Sequence, residues 1–191
     1  MSSSPRKNLE VRPAITFLRP LTHHSAAKFV QLAELRQLRG SEQVAAVCYR
    51  IGSDGIEFLL VRTRGGRWIF PKGHAEPGLT HAQAAALEAF EEAGVHGRIE
   101  EAPFARFMRR KFGANSSSLI DVGVSVHLCE VSWLEQPKES GRNPTWFSVE
   151  KTKRRLKAHR SATEGDDLAG VIDRAVARIQ RFRGLISRMA G

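Results

Sequence analysis

At 191 residues, with 41% hydrophobic and 26% charged side chains, the chain suits one globular domain with terminal extensions better than two domains. No apolar run approaches the roughly 20 residues of a bilayer-spanning helix, and the opening MSSSPRKNLEVRP lacks the apolar segment of a secretory signal, so a cytoplasmic location is expected. The net charge of +10 points to anionic partners such as phosphorylated metabolites, nucleotides or nucleic acid; much of it lies in KTKRRLKAHR and DRAVARIQRFRGLISR, where solvated helix faces account for it, so charge alone does not define a nucleic-acid binder.

Residues 1 to about 13 are rich in Ser, Pro and charge and read as disordered. Ala26, Phe29, Val30, Ala33 and Leu38 then recur at helical spacing, which predicts an accessory helix ended by Gly40. Residues 1–40 are thus set apart as an N-terminal extension. EQVAAVCYRI reads as a buried strand, and IEFLLVRT, after the turn GSDG, as its hairpin partner. GGRWIFP is a second turn leading to a short strand that Pro71 stops. Next comes an alanine-rich helix with Thr80 as N-cap, Gln83 completing a capping box, and Gly94 placed for a left-handed C-terminal cap.

RFMRRKF and SLIDVGVSVHLCEV read as two further strands joined by the turn GANSS. QPKESGRNP is a loop. SVEKTKRRLKAHR and DDLAGVIDRAVARIQRFRGLI are expected to form closing helices, the second with Val171, Ala175, Ile179 and Phe182 along one face. Cys48 and Cys129 sit inside apolar runs, too far apart for a local metal knuckle, and read as buried small hydrophobes. Strands, a helix, strands and then helices predict an α/β or α+β sandwich with helices on both faces of a mixed sheet.

The chemistry concentrates in PKGHAEPGLTHAQAAALEAFEEAG, Pro71 to Gly94. On a helix Glu88, Glu91 and Glu92 stand at i, i+3 and i+4 and project from one face, with Ala82, Ala85, Ala86, Ala89, Phe90 and Ala93 on the other. Like charges at this spacing repel, and the helix C-terminus disfavours anions, each effect worth a few tenths of a kcal/mol to about 1 kcal/mol. Three such carboxylates call for a compensating cation. Hard oxygen donors with incomplete protein coordination suit Mg²⁺ or Mn²⁺, which keep waters and share phosphate oxygens. Gly73 and Gly78 in the preceding loop allow backbone to come close to a ligand, with the positive charge of Lys72 beside them.

This stretch resembles the Nudix box, a Gly, five residues, Glu, seven residues, then Arg-Glu-apolar-X-Glu-Glu-X-Gly-apolar. With Gly73 as the first glycine, Glu88, Ala89, Glu91, Glu92, Gly94 and Val95 fall in register. The likeness covers roughly residues 41–160 and implies a Nudix-type α/β/α sandwich, with 161–191 a C-terminal helix outside it. The wording RWIFPKGHAEPGLT is similar to the branch near diphosphoinositol polyphosphate phosphohydrolases and their bacterial relatives. Two positions depart from the pattern: the box Glu is Leu79 and the box Arg is Leu87. An arginine at 87 would pair with Glu91 at i+4, so one orienting contact is missing, a kind of loss that typically weakens metal affinity or activity about 10- to 100-fold.

The resemblance implies metal-dependent hydrolysis of a diphosphate linkage in a nucleoside diphosphate derivative or a related dinucleoside or inositol polyphosphate. Glu91 and Glu92, with Glu88 and the backbone carbonyl near Lys72, would hold Mg²⁺ or Mn²⁺, and Glu88, Glu91 and Glu92 form the expected catalytic set. Arg62, Arg64, Arg67 and Lys72 are the expected substrate-binding residues, since such cations match phosphate oxygens; Arg109, Arg110 and Lys111 lie nearby in sequence. Glu130, Asp121 and Glu150 read as structural or surface carboxylates, His74 and His81 as exposed loop histidines, and Trp68 as core. Two other readings stand beside the hydrolase. One is a weakened Nudix-like module that binds a phosphorylated ligand, favoured by Leu79 and Leu87 and opposed by the intact glutamates. The other is a basic nucleic-acid binder, weakened by the single Tyr and the lack of aromatics interleaved with basic residues.

Overall fold

A computed structural model describes residues 42–112 and 119–189. The accessory helix expected before Gly40 and the GANSS turn lie outside the described residues. Gln43–Cys48 are all buried, six residues in succession rather than every other one, which is the mark of a strand covered on both faces. That strand, β1 (Gln43–Gly52), is the centre of the sheet. It turns back through Gly55 into β2 (Gly55–Arg62) with Gly52 opposite Gly55. The short β3 (Trp68–Ile69) pairs with the end of β2. Pro71 does not end the extended run, because β4 (Lys72–His74), expected as loop, pairs antiparallel with Gln43–Ala45.

Helix α1 (His81–Ala93) begins and ends where its local signals place it. The Thr80 hydroxyl accepts from Gln83 N–H at 3.2 Å while Gln83 Oε1 accepts from Thr80 N–H at 2.9 Å, and Gly94 closes the helix at φ 66°. β5 (Val95–Ile99), which the sequence did not announce, follows at once. β6 (Ala105–Phe112) and the 16-residue β7 (Leu119–Leu134) form the next antiparallel pair. β7 also lies parallel to β1 and antiparallel to β5, so three neighbours share its length. β8 (Thr145–Ser148) returns to β2, and α2 (Val149–Lys157) and α3 (Ala162–Met189) close the chain.

The result is a mixed sheet in the order β3-β2-β1-β7-β5, with β4 added to β1, β6 to β7 and β8 to β2. It is an α/β/α sandwich. α1 packs against β1, β4, β5 and β7, and α3 packs against α2 and β6. Val44–Cys48, Phe58–Val61, Val124 and Val126 supply the core with Ala85 and Ala89 of α1 and Leu168, Ile172 and Ile179 of α3. The alanines let α1 approach the sheet closely. Phe182, expected on the buried face of α3, is 43% exposed, because that part of the helix runs past the packed core. Cys48 and Cys129 are buried and free, and they stand opposite each other across the β1–β7 pair. Among the described residues no helix is long and apolar enough to cross a membrane.

Candidate active site

The last two turns of α1 carry Glu88, Glu91 and Glu92 but no basic residue, so compensating charge must come from other elements. The three do not share one outward face. Glu92 stands three residues after Ala89 and seven after Ala85, at the border of the alanine face, and it is only 2% exposed. Glu88 and Glu91 are half-buried.

β4 brings Gly73 beneath Glu88, whose carboxylate fills the space a Cβ on Gly73 would need. The box glycine is thus required by the close approach of backbone to carboxylate, with no need of an unusual φ. Burial first, and then the charges of Glu92, Glu91 and Glu139, raise the Glu88 carboxyl to about 7.

Glu92 has two donors. Lys72 N–H reaches Oε2 at 3.2 Å, and Arg142, from the loop between β7 and β8, reaches Oε1 at 2.6 Å. Burial nevertheless outweighs these contacts and holds the Glu92 carboxyl above its ordinary range. A buried carboxylate deprived of its partner costs on the order of 3–5 kcal/mol, which makes Arg142 a principal support of this site. Its guanidinium also binds Glu139 Oε2, through Nε at 2.7 Å and Nη2 at 2.6 Å. Lys72 is itself largely enclosed: burial and then the neighbouring Arg109 lower its ammonium to about 8, with Glu92 and Glu88 acting in opposition.

Arg142 also lines a hollow of about 690 Å³, together with Arg62, Thr63 and Arg64 from the end of β2 and the β2–β3 turn and Lys138 and Ser140 from the β7–β8 loop. Four cations line it, while its single acid, Glu139, is occupied by Arg142. Arg62 and Arg64 were expected at the site; Lys138 and Arg142 were not, since QPKESGRNP carries no spacing that marks it. Arg67 is absent from the lining. It closes the β2–β3 turn, its N–H on the Thr63 hydroxyl and its carbonyl accepting from Thr63 N–H. Arg109 reaches Gln43, and Arg110 pairs with Asp121. Glu130 pairs with Arg98 and Glu150 with Lys153, as surface carboxylates do. His81 meets Glu42 at 3.3 Å, and His74 is exposed. Trp68 is buried, with Arg62 over its ring.

Among the described residues no three His, Cys, Asp or Glu side chains form a ready-made metal cage. The donor chemistry still fits a hard divalent ion. Glu88, Glu91 and Glu92 gather carboxylate oxygens at one end of a helix with no basic residue in its last turn, and Mg²⁺ commonly takes only one or two protein carboxylates, completing its shell with water and phosphate.

A carboxylate-bearing helix laid across a mixed sheet with helices on both faces defines the class: an α/β/α sandwich. A family model of the NUDIX domain matches residues 41–164, and the chain belongs to the Nudix hydrolase family. It is 31% identical over 123 residues to diphosphoinositol polyphosphate phosphohydrolase 3-beta of Bos taurus, covering 62% of this chain and 71% of that one. Over 48 residues it is 44% identical to the asymmetrical bis(5'-nucleosyl)-tetraphosphatase of Sus scrofa, 24% of this chain but only 33% of that relative's length. The fold is shared with a C. elegans Ap4A hydrolase binary complex, at TM-score 0.53 and 22% identity over 73% of this chain and 97% of that one. It is shared too with the NUDIX domain of Shewanella oneidensis NrtR complexed with ADP ribose, at TM-score 0.56 and 15% identity over 81% and 99%.

Proposed function

We propose that the chain hydrolyses a diphosphate linkage within a polyphosphate borne by a nucleoside, a dinucleoside or an inositol, with Mg²⁺ or Mn²⁺ as cofactor. The observation that carries this reading is the position of Arg142, which joins the buried carboxylate of Glu92 to a hollow lined by three further cations. Glu91 and Glu92, with Glu88 and the backbone at Lys72, hold the ion. What such an ion supplies when bound is Lewis acidity, which polarises phosphoryl oxygens and eases loss of a proton from water. A glutamate of the cluster takes the proton that the attacking water loses. Arg62, Arg64 and Lys138 accept the phosphate chain, and Lys72 meets the phosphate nearest the carboxylates. Names of the similar proteins, a tetraphosphatase and a diphosphoinositol polyphosphate phosphohydrolase, agree with a substrate of several phosphates.

A second reading, a Nudix-like module that binds such a ligand without turning it over, is favoured by Leu79 and Leu87, which stand where the box has Glu and Arg. A panel of dinucleoside polyphosphates, inositol pyrophosphates and nucleoside diphosphate derivatives, assayed with Mg²⁺, Mn²⁺ or chelator, separates the two. Cation-dependent release of phosphate products supports the hydrolase. Tight binding with no products supports the module. Metal-independent binding of long RNA or DNA, unchanged by Glu91→Gln, overturns both.

A further inference from the structure

We propose that Arg142 is a positioning residue for the carboxylate cluster, supplying to Glu92 from the β7–β8 loop a cation that helix α1 does not contain. The proposal rests on the reading of Glu88, Glu91 and Glu92 as a divalent-cation site.

Three observations converge on it. First, the helix has no basic residue in its last turn, and Leu87 can contribute no charge. Second, Glu92 is almost wholly enclosed, and Arg142 is the only side chain paired with it among the described residues. The 2.6 Å bond from Nη2 to Oε1 and the 3.2 Å bond from Lys72 N–H to Oε2 fix the plane of the carboxylate. Each oxygen has two lone pairs, so one on each remains for a further ligand.

Third, the loop that delivers Arg142 is tied down by its backbone, independently of the guanidinium. Glu135 N–H donates to Gly94 O at 2.8 Å and Glu139 N–H to Glu91 O at 2.9 Å, satisfying carbonyls at the end of α1. Arg62 N–H donates to Arg142 O at 2.6 Å. The loop therefore bridges α1 and β2, and Glu139 holds the guanidinium through Nε and through the same Nη2 that reaches Glu92. From 87 an arginine would reach Glu91, one turn along; Arg142 comes from a different element and secures the neighbouring carboxylate. The missing orienting contact is replaced across the fold rather than along the helix.

A contact to substrate phosphate would also place Arg142 beside the hollow, so the test must read the cation site without substrate. Mn²⁺ is titrated into the free protein and followed by electron paramagnetic resonance, for the unaltered chain, Arg142→Ala and Arg142→Lys, with thermal midpoints measured alongside. A positioning role predicts that Mn²⁺ affinity falls about 10- to 100-fold in Arg142→Ala. It predicts an intermediate value in Arg142→Lys, whose single ammonium cannot hold Glu92 and Glu139 as a planar fork does. Added guanidinium ion partly restores the alanine variant, and kcat drops more than KM rises.

Unchanged Mn²⁺ affinity with a raised KM overturns the proposal and makes Arg142 a phosphate contact. Equal losses in the two variants without guanidinium rescue overturn it in favour of a packing role. Should Arg142→Ala not fold, the lysine variant decides, and unaltered Mn²⁺ binding there overturns the proposal. If the unaltered chain binds no Mn²⁺, the cation-site reading falls and the proposal with it, an outcome distinct from failure of the variants alone.

Discussion

The carboxylate of Glu88 occupies the volume that a Cβ on Gly73 would fill. Gly73→Ala therefore displaces the end of a flexible side chain rather than backbone, and the fold survives while the site does not. Turnover is expected to fall at least about 10-fold, as when an orienting contact is lost, with thermal stability reduced by no more than about 1–3 kcal/mol, the usual cost of overpacking. Steady-state kinetics and a melting curve on the same preparation check this.

Glu91→Gln and Glu92→Gln each remove an expected ligand of the cation. Loss of an orienting partner costs about 10- to 100-fold, and loss of a ligand itself should exceed that range. Both variants should remain folded, Glu92→Gln because Arg142 keeps Glu139 as its ion-pair partner. Hydrolysis and thermal midpoint with and without Mg²⁺ decide the matter; full activity in either variant would remove the residue from the cation site.

The raised Glu88 carboxyl predicts a pH dependence of stability in metal-free protein. Its folded value is about 7 against an ordinary 4.5, so between these pH values the folded chain keeps a proton the unfolded chain has released. The stabilisation is full below about pH 4.5 and is lost as pH rises through 7. Glu92, also raised, acts in the same sense. Urea midpoints across this window in chelator should fall with rising pH, Glu88→Gln should flatten the slope, and Mg²⁺ should stabilise more above pH 7 than below it.

Much of this site can be read in the chain itself, for reasons of range. The glutamate spacing, the Thr80–Gln83 capping box and the Gly94 cap are contacts within a few residues, and local geometry places them. Arg142 is different. It meets Glu92 only because β7 runs far enough to return the chain past the end of α1, and no periodicity in ESGRNP encodes that. β4 was hidden because three residues after a proline carry too little pattern to mark a strand, although the partner edge of β1 makes them one. Phe182 obeyed the helical period and still emerged exposed, since periodicity names a face but not where its partner stops.

Leu87→Arg tests whether the departure from the box matters. Leu87 is half-buried, and an arginine there can extend its head group to solvent along the helix. Its pairing with Glu91 at i+4 is worth about 0.2–0.5 kcal/mol, so turnover should change by no more than about 2- to 3-fold in the unaltered background. A much larger gain in metal affinity would show that Arg142 leaves the cluster undersupplied.

Arg62→Ala and Arg64→Ala should raise KM for a polyphosphate with little effect on kcat, because both line the hollow rather than the carboxylate cluster. Each charge-assisted contact is worth about 1.5–3 kcal/mol, an increase of roughly 10-fold or more in KM. Arg67→Ala, at the turn base, should leave KM nearly unchanged. Added salt should weaken binding through the exposed contacts, since the screening length is about 10 Å at 0.1 M.

Cys48 and Cys129, side by side across β1 and β7 and both sealed in the core, make the chain a natural clock for its own opening. A thiol reagent must reach the sulfur it attacks, and both sulfurs are buried. Neither sulfur can be modified until the central strands part, so labelling should proceed at the rate of core exposure rather than of surface breathing. Ligand binding that strengthens the fold would then be recorded as a delay in labelling, read by mass, with no need for a known substrate or a measurable turnover.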